Sequence, residues 1–212
     1  MIFSELEYSH LKVCTMVSKS VSVLIEHSCF DQTLFRRCTP FKDCDSITPV
    51  LIPELKDFPD HERTWVEVHP ALSMMSYGCS PDISDPTFYD YSESATPHDD
   101  SAVIDTSAAA EYATMPAMQK LKIRIYNRPA TIVMNKKGVT VRNVLEALVS
   151  HFGTEIGKVT LYDVCPWAEE YGKNRPATWR DVQGDRNGWH GFEGQSMDDN
   201  GTLVLVADSF DS

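Results

Sequence analysis

Apolar and polar positions change period once between Leu121 and Phe152, and that change predicts two kinds of element. Leu121-Lys122-Ile123-Arg124-Ile125 alternates apolar with basic, the period-two signature of a half-buried strand. Asn127-Arg128-Pro129 interrupts it, and Ala130-Thr131-Ile132-Val133-Met134 resumes as a second β-prone run. Val141, Val144, Leu145, Leu148, Val149 and Phe152 then recur at helical spacing, one apolar stripe on one helix. Thr140 suits the N-cap, its hydroxyl placed to accept from the Asn143 amide. Val139 and Val144 suit a hydrophobic staple, and Gly153 falls where a left-handed C′ residue is wanted. A hairpin packed on one helix is the expected core.

Elsewhere the pattern is less regular. Asn200-Gly201 reads as a tight turn leading into Thr202-Leu203-Val204-Leu205-Val206, whose unbroken apolar character suits a central strand covered on both faces. Residues 157–194 carry Trp167, Trp179 and Trp189 among turn residues, which predicts a loop-rich segment with aromatic anchors. Trp65-Val66-Glu67-Val68 and Phe88-Tyr89 are short apolar islands expected as edge strands or anchors. Val21–Ile25 fits a short strand or the start of a helix continuing through Phe30, Leu34 and Phe35, and periodicity does not separate the two. The fold class expected is α+β: a small, mainly antiparallel sheet on one amphipathic helix at about 140–152, with long loops. The order strand, strand, helix, late strand is also that of a β-grasp, beside the plainer reading of any small sheet on a helix. The domain expected spans 65–210. Residues 1–64 are expected as an amino-terminal extension, partly helical and poorly ordered.

Charge changes the functional picture more than composition does. The net charge of −12 argues against nucleic acid or an anionic membrane surface as a whole-chain partner. No apolar run approaches the length that spans a bilayer, and Met1–Glu7 lacks the basic start and apolar run of a signal peptide. The expectation is a soluble intracellular protein, cytoplasmic or nuclear. Cys14, Cys29, Cys38, Cys44, Cys79 and Cys165 form no CxxC pair and read as free thiols. A zinc site would have to recruit His27, Cys29, Cys38 and Cys44, whose spacing fits no common structural site. His98-Asp99-Asp100 lies in a polar stretch ill suited to holding a cation. No nucleotide, zinc-protease or hydrolase motif is present, so no catalytic, cofactor or metal residue is assigned.

The charge is unevenly distributed. From Thr64 to Gln119 there is no Lys or Arg against nine acidic residues, with an acidic loop expected at about 80–111. Between Lys120 and Leu145 there are seven basic residues and no acidic one. On a strand from Leu121, Lys122, Arg124 and Tyr126 share one side and the apolar residues the other. If the apolar side meets the helix, the cations face outward, with Lys136 and Lys137 at the far end of the hairpin. These five residues are the candidate partner-binding set, against the plainer reading of a strand face kept soluble by charge. The partner expected is an acidic protein segment, from the chain's own loop or from another chain. The rival is an enzyme using Cys165 with His151 or His190, or a Trp-lined pocket in 157–194.

Several blocks also carry a resemblance. His69-Pro70-Ala71-Leu72-Ser73, Phe88-Tyr89-Asp90, Ala113-Thr114-Met115-Pro116, Gly138–Leu148, Asp181-Val182-Gln183-Gly184 and Trp189-His190-Gly191-Phe192 follow one another in order. Together they resemble a fungal family catalogued as domain of unknown function 6699, over about residues 65–208. The chain departs from it at Thr87-Phe88 and Ala130-Thr131, where tryptophans are common. The resemblance implies a fold unit and no particular activity.

Overall fold

The computed structural model describes residues 6–31, 33–36, 66–73, 75–78, 82–88, 102–115, 117–125, 130–165, 174–183, 188–189, 191–192, 194–198, 202–207 and 210–211. Its centre is a four-stranded sheet made of β5 (Lys120–Ile125), β6 (Thr131–Met134), β10 (Gly194–Met197) and β11 (Leu203–Ala207), in the order β10-β11-β5-β6. β5 and β6 are antiparallel, as are β10 and β11, whereas β11 runs parallel to β5 with Leu203 opposite Leu121. A helix, α3 (Val141–Gly153), separates the hairpin from β11 in the chain. Hairpin, helix, then a late strand parallel to the first is the β-grasp order.

Alternation on β5 is as the period predicts. Leu121, Ile123 and Ile125 are buried with Val133 of β6, and they share one core with Val144, Leu145, Leu148 and Phe152 of α3. On β11, Leu203, Leu205 and Ala207 join that core while Val204 is buried on the other face. This fits a strand covered on both sides.

The start of α3 is built as expected, and its end is not. Thr140 Oγ1 accepts from the Asn143 amide at 3.3 Å, and Asn143 Oδ1 accepts in return from the Thr140 amide at 3.2 Å, closing a capping box. Gly153 is not left-handed: it is the last helical residue, and Thr154 (φ −74°) follows as C-cap. The Thr154 hydroxyl donates to the Ser150 carbonyl at 2.7 Å, so side-chain chemistry satisfies a carbonyl that a left-handed glycine would otherwise serve.

Shorter pairs surround the sheet: β1 (Glu67–Val68) with β4 (Thr114–Met115), β2 (Met75–Ser76) with β3 (Thr87–Phe88), β7 (Glu155–Thr160) with β8 (Pro176–Thr178), and β9 (Gly188–Trp189) with β12 (Phe210–Asp211). Segment 157–194 therefore contains strands that its polar, glycine-bearing sequence conceals. Residues 102–110, in the stretch expected as an acidic loop, form two short 3-10 turns with Val103, Ala108 and Ala109 in the core. At the amino terminus Val21–Ile25 is helical. It belongs to α2 (Lys19–Ile25), which follows α1 (Tyr8–Val17) and stops before a 3-10 turn at Ser28–Phe30. Leu11, Ile25, Phe30 and Leu34 make a second, separate core there.

Candidate functional site

The outward side of the β5–β6 hairpin follows from its register. Lys120 pairs with Met134 and Lys122 with Ile132, so cations and apolar side chains alternate across one surface. Arg124 is exposed and Lys120 half-buried. Ile132 and Met134 are 52% and 72% exposed, large values for apolar side chains in a strand. β6 is the edge strand of its sheet, so one side of its backbone has no strand partner among the described residues.

The candidate residues differ in their surroundings. Lys122 is half-buried and donates to Asp198 Oδ2, the carboxylate whose other oxygen accepts from the Thr202 amide at 2.7 Å and closes the β10–β11 turn. Lys136 and Lys137 are exposed in the turn after β6. That turn is fixed by the Gln119 side chain on the Lys136 carbonyl at 2.7 Å and by the Asn135 side chain on the Lys137 amide at 3.0 Å. Tyr126 lies outside the described residues. So do His190, Trp65, Trp167, Cys38, Cys44, Cys79, His98, Asp99 and Asp100. Ile132 and Met134 were not foreseen: Ile132-Val133-Met134 is apolar throughout, and only the pairing register decides which residues face out.

A second cluster, also missed, centres on a buried carboxylate. Glu111, with a side chain 5% exposed, meets His69 Nε2 at 3.1 Å, Tyr8 Oη at 2.9 Å, Lys12 Nζ at 2.6 Å and Arg36 Nε at 3.5 Å. His69 is fully buried, and its Nδ1 accepts from the Ala71 amide at 3.0 Å. Nδ1 is thereby unprotonated and Nε2 carries the proton it donates to Glu111. The His-Pro-Ala-Leu stretch is thus a capped turn, the histidine capping helix Pro70–Ser73 with Pro70 at its first position. Burial lowers the His69 pKa more than its bond to Glu111 raises it. Burial would raise Glu111, but hydrogen bonds from His69, Lys12 and Tyr8 outweigh it and hold the carboxyl below its ordinary value. Burial and the Glu111 charge raise Tyr8, which stays a neutral donor. Both imidazole nitrogens are engaged, so His69 has no lone pair left for proton abstraction.

Of the residues of the rival enzyme reading, His151 has a structural role. His151 Nδ1 meets Thr131 Oγ1 at 3.0 Å, and its ring stacks on Trp179 at 6.0 Å between centroids with planes 3° apart. The Cys165 amide donates to the Leu161 carbonyl at the end of helix Leu161–Val164. A shallow cavity of about 280 Å³ lies between β7 and β8, where Lys158, Thr160, Asn174 and Arg175 reach its wall. Arg175 is held there by both Asp181 oxygens at 2.6 and 2.8 Å. Cys14, Cys29 and Cys165 are free thiols. Among the described residues no group of three or more His, Cys, Asp or Glu side chains gathers around one point. No helix among them is long and apolar enough to cross a membrane.

The fold and these surfaces define a β-grasp-ordered α+β domain with an open, mixed basic and apolar strand face. Residues 80–198 match the model of a family of unknown function, DUF6699, and the chain belongs to that family. No curated protein and no solved structure matches it. The family resemblance carried by the sequence blocks also has a spatial counterpart. Gly191 (φ +80°) backs onto the short helix so closely that a Cβ there would lie 2.6 Å from the Ser73 carbonyl oxygen, and the Phe192 amide donates to the Leu72 carbonyl.

Proposed function

We propose that this protein is a non-catalytic interaction module that captures an extended, acidic segment of another protein along the outer face of the β5–β6 hairpin and the edge strand β6. The observation that carries this reading is the exposure of Ile132 and Met134 on an edge strand beside Arg124 and Lys120, with Lys136 and Lys137 at its end. Edge strands are normally blunted by charge rather than left with uncovered apolar side chains. An added strand gains main-chain hydrogen bonds from the edge and selectivity from alternate side chains. Apolar partner residues would cover Ile132 and Met134, and carboxylates would meet the cations. Asp198 on Lys122 supports the idea that this face accommodates a carboxylate. Because Lys122 already serves the β10–β11 turn, Arg124, Lys136 and Lys137 are the better residues to alter.

The test uses a synthetic peptide alternating aspartate with valine, titrated into isotopically labelled protein. Amide shifts are expected at Thr131–Met134, to be lost in Arg124→Glu/Lys136→Glu/Lys137→Glu and weakened at high salt, since exposed ion pairs are screened. Absence of shifts on β6, or shifts indifferent to both salt and charge reversal, would overturn the reading.

A further inference from the structure

Among the described residues, residues 6–31 and 33–36 meet the α+β unit at a cluster centred on Glu111 and His69. Their own core of Leu11, Ile25, Phe30 and Leu34 is distinct from the main one. Tyr8 and Lys12, one turn apart on α1, both reach Glu111, and Lys12 also donates to Ser107 Oγ at 2.8 Å. Arg36 closes on the same carboxylate from the far end of the segment. The rings of Tyr8 and Phe35 each lie 4.8 Å from His69, and the Tyr112 amide donates to the Phe35 carbonyl at 2.8 Å. Phe35 sits at φ 53°, a left-handed conformation that a phenylalanine adopts only when its surroundings impose it. Both its ring and its carbonyl are held by the α+β unit.

We propose that residues 6–36 form a helical arm that docks reversibly on the α+β unit, latched by the Glu111 carboxylate, and that the arm releases without unfolding the β5–β6–α3 core. Two separate cores that meet at one cluster of charged, aromatic and backbone contacts favour two cooperative units over one. The latch is charge-assisted and centred on a buried carboxylate, where such bonds are stronger than in water. The docked arm lies against His69 and Glu111, so release uncovers a carboxylate and an imidazole that select a helix presenting a phenol and an ammonium one turn apart.

The experiment is amide hydrogen exchange on the full chain, corrected for intrinsic rates, comparing Leu11–Val17 with Val144–Leu148. In Glu111→Gln the arm amides are expected to exchange about tenfold faster or more, the loss of charged hydrogen bonds, while those of α3 stay unchanged. Lys12→Met and Tyr8→Phe cut the latch from the arm side and leave the α+β unit intact. They are expected to give the same selective rise, and they decide the matter if Glu111→Gln fails to fold. Equal acceleration of both groups of amides would show one cooperative unit and overturn the proposal. So would no acceleration in any of the three variants.

Discussion

Two glycines show how differently one residue type is used. Gly138 has φ +104°, and a Cβ there would lie 2.6 Å from the Tyr112 ring. Gly153 ends α3 with nothing within 4 Å of a Cβ. Gly138→Ala is therefore expected to destabilise by more than about 1 kcal/mol, whereas Gly153→Ala is expected to stabilise by about 0.5 kcal/mol. Urea midpoints of the two variants would check both signs. No local pattern singles out Gly138, because what it must accommodate is the Tyr112 ring, twenty-six residues upstream. Lys122 makes a similar point. Its place on the outer strand face follows from alternation, but its engagement with Asp198 depends on the parallel pairing of β11 with β5.

At the scale of elements, α3 was legible almost to the residue. Its stripe, N-cap and staple are local features that tertiary packing reinforces: Val139 and Val144 are both fully buried. Leu145→Ala or Leu148→Ala is expected to cost about 2–5 kcal/mol through the cavity left under the sheet. Thr140→Ala is expected to cost about 1 kcal/mol through the lost cap. Chemical denaturation of the three variants should rank them in that order, and a cap variant as damaging as the core variants would contradict it. β7 and β8 were hidden for the opposite reason. Glu155–Thr160 carries a glycine and has no fully buried residue, so it has no alternation to read, and the strand exists because β8 pairs with it across an irregular register.

For the whole molecule the Glu111 cluster makes stability depend on pH. Glu111 faces Tyr8 and Lys12 from α1, Arg36 from the end of the arm, and His69 from the short helix. His69 and Glu111 both have pKa values depressed in the fold. A depressed value means that the unfolded chain takes up the proton first, so each contribution is present at neutral pH and is lost on acidification. The loss begins as pH falls below the ordinary imidazole value of 6.5 and continues below the ordinary carboxyl value of 4.5. Tyr8 is shifted upward, so its contribution is lost only above its ordinary value of 10.0. The thermal midpoint is expected to fall from about pH 7 to about pH 5, more steeply in the wild type than in His69→Gln. Parallel curves for the two proteins would exclude His69 as the source.

By itself the amino-acid sequence determined the parts whose causes are local. These are the alternation that makes β5 a strand with a basic side, the stripe and cap that make α3, the apolar run that makes β11 central, and the abrupt change from acidic to basic at Lys120. Each is set by neighbours within a few residues, so spacing alone carries it. Only the tertiary structure decided what those parts meet. The register of β6 turned Ile132 and Met134 outward. The return of the chain placed Asp198 on Lys122 and Gly191 against the short helix. Four residues distant from it in the chain converged on Glu111. Such contacts pair groups from about forty to more than a hundred positions apart, where no periodicity links them, and the gain from burying and satisfying both at once exists only after the chain has folded.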